Sequence, residues 1–370
     1  MNQPTIVLTG THLTPALALI KKLKQEKWQI IYLGRQTSLS RSQQPAVEKQ
    51  LLPQKKVSFI TLMAPKLHRH NLLISFLSLF QLPLGFLQSL YHLKKAQPLI
   101  VVSFGGYIAL PVCLAAKVLK LPLIIHEQTF QAGLTSKLTG LLADKIALSW
   151  PASSRHFPAN KTILTGNPLR QKILQLSPQI PTSTPYPTIY ITGGNQGAKI
   201  INLTLNQVIL KLLQRHTIYH QYGLAQSDSA WQKQQNLRNT LPPELKKRYF
   251  LKRWFTTNDL VPIFKRCSLV ISRAGANTIT ELAYLKKPAV LIPLLYAQKN
   301  EQLKNAQFLE KLGLALILPQ NQLTGDSLIK AIDQALTQLP AKSQKTFPRQ
   351  LVTQATDNLY QLITQLISDR

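Results

Sequence analysis

A chain of 370 residues has length for about two ordinary domains with sizeable cores, and 45% hydrophobic residues argue against disorder. Two isolated cysteines, Cys113 and Cys267, without C-x-x-C spacing point to buried thiols in a reduced compartment, and sparse aspartates with no D-x-D argue against a carboxylate-held magnesium. The net charge of +30 attracts polyanions, either nucleic acid or an anionic membrane; the basic residues are spread along the chain, and no nucleic-acid-binding motif accompanies them.

Met1-Asn2-Gln3-Pro4 has no basic segment leading into an apolar run, so secretion is not expected. From there, apolar β-branched runs alternate with amphipathic segments, the pattern of parallel α/β layers. Strands are predicted at Thr5–Thr9, Gln29–Leu33, Val57–Thr61, Leu99–Phe104 and Leu123–His126. A second series covers Thr188–Thr192, Thr217–Gln221, Ser268–Ser272, Ala289–Pro293 and Ala315–Leu318. The Pro- and Ser-rich stretch Ser177–Pro187 separates the two series and reads as a linker. Two doubly wound, Rossmann-like domains facing across a cleft are expected, with ligands at carboxyl strand ends.

Leu67–Leu93 is apolar and carries no formal charge from Asn71 to Tyr91, yet Gln81, Pro83, Gly85 and Gln88 interrupt it, which argues against a spanning helix. Leu72, Phe76, Leu79, Phe80, Leu84 and Phe86 form either an interfacial membrane patch flanked by His68, Arg69, His70, Lys94 and Lys95, or a core helix.

Chemistry-bearing residues collect at the predicted strand ends. Thr9-Gly10-Thr11-His12 opens a helix, and His12 is a candidate base or a plain cap. Gly105-Gly106-Tyr107 is a glycine turn. His126-Glu127-Gln128, followed by Thr129, ends a buried strand, where polar side chains are costly without partners. Gly193-Gly194-Asn195-Gln196-Gly197-Ala198 has the look of a phosphate loop. Arg273-Ala-Gly-Ala-Asn-Thr-Ile-Thr-Glu281 runs from a strand into a helix starting near Asn277 or Thr278. Glu281 there is either a ribose ligand or half of a Thr278-x-x-Glu281 capping box. Gln302 and Asn305 share a helical face that could read sugar hydroxyls.

In order, and with Gly166-Asn167-Pro168-Leu169-Arg170, these segments resemble the MurG family over nearly the whole chain. That family is the membrane-associated GT-B transferase that adds N-acetylglucosamine (GlcNAc) to lipid I in peptidoglycan synthesis. The resemblance implies an acceptor and membrane domain over 1–165, a linker over 166–187, a UDP-GlcNAc domain over 188–345, and a terminal helix over 346–370 packing back on the first domain. It puts the donor at Arg170, Asn195, Gln196, Gly197, Ala276, Asn277, Thr278, Glu281, Gln302 and Asn305. The diphosphate of the lipid-linked acceptor falls to Thr11, His12, Gly105, Gly106, Tyr107, His126, Gln128 and Thr129. His12 or Glu127 is the implied base in an inverting displacement that needs no metal or cofactor, on the cytoplasmic face of the membrane as a peripheral protein. Anionic lipids are expected partners and nucleic acid is not.

The chain departs from that pattern at the first loop, usually Gly-Gly-Thr-Gly-Gly-His and here Val7-Leu8-Thr9-Gly10-Thr11-His12; the usual Asn after His-Glu-Gln is Thr129, and the usual Ser in Gly-Gly-Ser-Gln-Gly is Asn195. A glycolipid synthase using diacylglycerol, a UDP-GlcNAc epimerase and a basic nucleic-acid-binding protein are the rival readings.

Overall fold

The computed structural model describes residues 3–37, 45–64, 81–178, 185–294, 300–342 and 347–370. It divides into two compact units: the residues up to Arg170 together with Gln350–Arg370, and Gln171–Arg349.

The first unit is built on seven strands: β1 (Thr5–Gly10), β2 (Gln29–Arg35), β3 (Ser58–Leu62), β4 (Ile100–Phe104), β5 (Leu123–Glu127), β6 (Lys145–Leu148) and β7 (Thr162–Leu164). They form one parallel sheet in the order β3-β2-β1-β4-β5-β6-β7. Its central strands are buried on both faces, which is why they read as unbroken Val/Ile/Leu runs. The connecting helices include α1 (Leu13–Gln25), α2 (Val47–Gln54), α3 (Gln81–Ala96), α4 (Ala109–Val118) and α5 (Leu134–Leu142). Pro15 sits in the first turn of α1, where its missing N–H costs nothing, and Lys22 and Lys24 complement the dipole of the last turn.

The second unit carries β8 (Thr188–Thr192), β9 (Thr217–Gln221), β10 (Tyr249–Lys252), β11 (Cys267–Ser272), β12 (Ala289–Leu291) and β13 (Ala315–Ile317), parallel in the order β10-β9-β8-β11-β12-β13. Among its helices are α6 (Lys199–Arg215), α7 (Thr257–Arg266), α8 (Ala276–Leu285), α9 (Glu301–Lys311) and α10 (Gly325–Lys342). A core of Ile191, Leu205, Leu213, Ile271, Val290 and Ile332 joins this sheet to α6 and α10.

The last helix, α11 (Ala355–Ser368), belongs to the first unit. Asp357 pairs with Lys22 at 3.2 Å, Asn358 donates to the Thr165 carbonyl at 3.3 Å, and Trp28 donates to the Tyr360 hydroxyl at 3.4 Å. Part of the expected linker is built into the two units: Asn167 N–H bonds the Leu351 carbonyl at 2.8 Å, and Gln171–Leu174 is a helical turn. Residues 179–184 lie outside the described set.

β6, β7 and β10 had no counterpart among the predicted strands. All three are short, and β7 and β10 are edges with exposed Ile163, Leu164 and Phe250, so none offers a long apolar run.

Both sheets reverse their strand order once, between β1 and β4 and between β8 and β11. In open α/β sheets these switch points are where neighbouring crossovers diverge to opposite faces, leaving a crevice at the carboxyl ends. The glycine turns predicted from sequence follow those four strands.

Candidate active site

At the first switch point, the turn after β1 is bound to the turn after β4: Thr11 N–H donates to the Gly105 carbonyl at 3.0 Å. Gly106 (φ +83°) lies so close to Thr11 that a Cβ would meet its Oγ1 at 2.3 Å, so this glycine is required by packing. Gly105 is less crowded; a Cβ there would have only Ser136 Oγ at 3.5 Å and His12 Cδ2 at 3.8 Å within reach. His12 is the N-cap residue of α1 but makes no capping side-chain bond. Burial first, then the charge of Arg35 and the nearness of His126, push its pKa down to about 4, leaving a neutral imidazole at pH 7.

Arg35 ends β2 and was not anticipated. Its Nε bonds Glu48 Oε1 at 2.7 Å, and it also hydrogen-bonds Tyr107. Because β2 and β4 flank β1, that second bond bridges over the end of β1. Ser136, also unforeseen, sits in the first turn of α5 beside Gly105, close enough to Glu127 to lower its pKa against the larger effect of burial.

The polar trio at the end of β5 is buried, and His126 Nδ1, Glu127 Oε2 and Gln128 Oε1 have no hydrogen-bond partner among the described residues. His126 is 1% exposed, with Nε2 against the Gly166 carbonyl at 3.1 Å and Ser149 Oγ at 3.3 Å, and burial pushes its pKa down to about 4. Glu127 Oε1 accepts from Thr129 N at 2.9 Å and Thr129 Oγ1 at 2.7 Å; burial raises its pKa. Gln128 and Thr129 are buried too, their carbonyls held by Trp150 Nε1 at 3.1 Å and Ser153 Oγ at 2.6 Å. A short polar residue at 129 braces Glu127. That brace engages only Oε1; Oε2 is buried without a hydrogen-bond partner among the described residues, so Glu127 stands beside His12 as a candidate base.

At the second switch point, the loop after β8 separates two kinds of glycine. A Cβ on Gly193 or Gly197 would strike backbone atoms at 2.1 and 2.2 Å, so these two are packing requirements. Gly194 (φ +81°) and Gly275 instead have nothing within 4 Å of a Cβ. These two open backbones follow β8 and β11, which pair directly. The Asn195 carbonyl accepts from Leu224 N at 3.0 Å and the Gln196 carbonyl from Gln226 Nε2 at 3.1 Å, so the loop is fastened through its main chain.

α8 starts at Ala276 with Gly275 as N-cap and no side-chain cap. Asn277 and Thr278 are therefore its second and third residues, and Glu281 lies a turn beyond. The Thr278-x-x-Glu281 capping box is not formed, because a box requires its Thr at the N-cap. Glu281 is 5% exposed.

One further assignment changes and another is narrowed. Asn305 is fully buried, and its Nδ2 donates to the Ala274 carbonyl at 3.0 Å, so it braces the turn before α8 and is not placed to read a sugar. Gln302 Oε1 accepts from Leu294 N at 3.0 Å, which commits its carbonyl end to the chain beyond β12. Arg170 is the last residue of the first unit before the chain enters the second.

Of the apolar patch, Leu72, Phe76, Leu79 and Phe80 lie outside the described residues. Leu84 is 45% exposed, whereas Phe86 packs against the core of the first unit, so of the two alternatives the helical phase of α3 gives the outer face to Leu84 and the core to Phe86. Leu84, Leu87 and Tyr91 line its outer face, three and four residues apart. A second stripe, Leu134, Leu138 and Leu141, is exposed on α5, and α4 packs against both α3 and α5. No helix among the described residues is long and apolar enough to cross a membrane.

Two parallel-sheet domains, each with glycine turns at its switch point, are the architecture of the GT-B glycosyltransferases, and the class follows from the family matches. The chain matches the glycosyltransferase family 28 N-terminal domain over residues 6–148 and the family 28 C-terminal domain over residues 188–360. It is 30% identical to the UDP-N-acetylglucosamine–N-acetylmuramyl-(pentapeptide) pyrophosphoryl-undecaprenol N-acetylglucosamine transferase 3 of Bacillus thuringiensis (strain Al Hakam), over 89% of this chain and 90% of that one. The corresponding transferase of Clostridium botulinum (strain Hall) is also 30% identical, over 98% of each chain. The crystal structure of MurG from Acinetobacter baumannii superposes with a TM-score of 0.65 at 27% identity, covering 98% of this chain and 99% of that one. The chain belongs to the MurG family within glycosyltransferase family 28.

Proposed function

We propose that this chain transfers GlcNAc from UDP-GlcNAc to the 4-hydroxyl of the N-acetylmuramyl unit of lipid I, giving lipid II. The observation that carries the reading is the pair of open glycine backbones, Gly194 and Gly275, at the β8/β11 switch point beside the uncapped N-terminus of α8. The Gly194 N–H is itself held by Thr192 Oγ1, so the anion is assigned to the amides that follow it in the loop and to the N-terminus of α8, and a nucleotide-sugar diphosphate suits both. Asn195, Gln196 and the first turn of α8 are assigned to that diphosphate, Arg170 to a phosphate oxygen and Glu281 to the ribose diol. Gln302 reads the sugar through the end of its amide that does not hold Leu294.

The acceptor's diphosphate is assigned to Thr11, Gly105 and Tyr107 in the first domain. The acceptor hydroxyl attacks the anomeric carbon as the bond to the UDP oxygen breaks. The hydroxyl proton passes to His12, whose lowered pKa keeps it neutral and able to accept. UDP leaves with its charge spread over the α8 N-terminus and Arg170.

Membrane association is assigned to the exposed faces of α3 and α5, with Lys94, Lys95 and Lys137 alongside to meet anionic headgroups of the cytoplasmic leaflet. Incubation with radiolabelled UDP-GlcNAc and either lipid I or diacylglycerol tests the whole. Label in lipid II supports the reading, label in a glycosyl diacylglycerol overturns the acceptor, and no transfer to either overturns the activity.

A further inference from the structure

Gln221, the last residue of β9, stands opposite Thr192 in the sheet and is 3% exposed. A primary amide has two N–H donors and an oxygen with two lone pairs. All four capacities of Gln221 are used. Nε2 donates to Thr192 Oγ1 at 3.0 Å and to the Gly194 carbonyl at 3.1 Å. Oε1 accepts from Phe255 N at 3.0 Å and from the Tyr190 hydroxyl at 3.3 Å. Thr192 Oγ1 in turn accepts from Gly194 N at 3.0 Å. Both main-chain polar groups of Gly194, the glycine that faces open space, are thereby fixed by Gln221 and Thr192.

From this geometry we propose that Gln221 is a positioning residue for nucleotide-sugar binding. It ties the loop after β8 to the segment after β10 and fixes the backbone on which the diphosphate rests. Gln221 does not touch the ligand; it acts through Gly194. The inference rests on the donor reading of the second domain.

The isosteric change Gln221→Glu tests it, because a carboxylate keeps the two acceptor contacts, can accept from the Thr192 hydroxyl, and turns the donor contact to the Gly194 carbonyl into a repulsion. UDP affinity by calorimetry, and KM for UDP-GlcNAc in the transfer assay, are expected to weaken about tenfold or more, the scale of unmade buried hydrogen bonds, with KM for the lipid acceptor unchanged. Thr192→Val is expected to move both in the same direction, and Thr192→Ser, which keeps the hydroxyl, to restore them. A role in stability alone would lower the melting temperature and leave both constants in place. Hydrogen exchange of the 194–198 amides gives a readout independent of any ligand, and exchange in Gln221→Glu should be faster there while α10 is unaffected. Should wild-type protein bind no UDP, the donor reading fails, and the exchange result alone decides whether Gln221 holds the loop. Unchanged exchange, or UDP affinity within twofold of wild type, overturns the proposal.

Discussion

At residue scale, His12 and Glu127 show how environment selects between two candidate bases. Both are shifted by burial: the imidazole of His12 stays neutral and able to accept a proton at pH 7, while the carboxyl of Glu127 is raised and holds Thr129 through Oε1, with Oε2 unpartnered among the described residues. His12→Ala should lower kcat by about 10² to 10⁴, the range for loss of a general base. The pH profile is the sharper test. Because the folded pKa of His12 is about 4, the acidic limb of kcat/KM should fall near there, and a limb centred near 6.5 would remove His12 from the role. Glu281 invites a similar comparison. Glu281 does not cap α8, so Glu281→Ala should lower UDP affinity roughly tenfold, read beside the melting temperature because this side chain is buried. Unaltered affinity by calorimetry would sink the ribose assignment. His12 was legible because it follows a strand, whereas Arg35 was not: nothing in sequence shows that its side chain bridges to Tyr107 over the end of β1.

At element scale, ten of the thirteen strands were readable because buried parallel strands are forced into β-branched runs, and their ends concentrate glycine where turns are tight. The start of α8 was misjudged by one or two residues because Thr278 is as acceptable a cap as Gly275, and only backbone geometry decides between them. The α5 stripe escaped notice for another reason. Leu134-Thr-Ser-Lys-Leu-Thr-Gly-Leu-Leu142 has the spacing of any amphipathic helix, and which stripe faces the core depends on neighbours distant in sequence. That stripe supports a direct test. The double change Leu138→Asp, Leu141→Asp places charges on a face already exposed, so the fold should survive while flotation with anionic vesicles is lost. Wild-type flotation should also weaken as salt rises from 0.05 to 0.5 M, roughly, as headgroup attraction is screened. Undiminished binding of the double variant would return α5 to the ordinary solvated surface.

At the scale of the whole molecule, the charge excess and the buried histidines act together on acidification. His126 in the first unit and His220 in the second are fully buried, with pKa values pushed from 6.5 down to about 4 and about 3. His220 is held neutral between the Tyr249 hydroxyl at 2.8 Å and Asn202 Oδ1 at 3.1 Å. A folded pKa below the unfolded value means the unfolded chain binds more protons as pH falls through 6.5, so stability declines from there until the folded group titrates. Between pH 6.5 and 5 each such histidine should therefore cost about 2 kcal/mol, so the second unit loses roughly 4 to 8 °C in Tm and the first, where His12 is also lowered to about 4, about twice that. Further acid, below pH 5, begins to neutralise the few carboxylates, Asp259 late among them because Lys252 and Thr256 lower its pKa, and so deepens the self-repulsion of a chain already at +30. Calorimetric scans at pH 7.5, 6.5, 5.5 and 5.0 check the histidine loss, and scans at about pH 4 and 3 the repulsion. Added salt should recover the repulsive part of the loss and leave the histidine part, since burial and not long-range charge holds those imidazoles neutral. A Tm that stays flat across this range would mean that neither unit carries a buried neutral histidine.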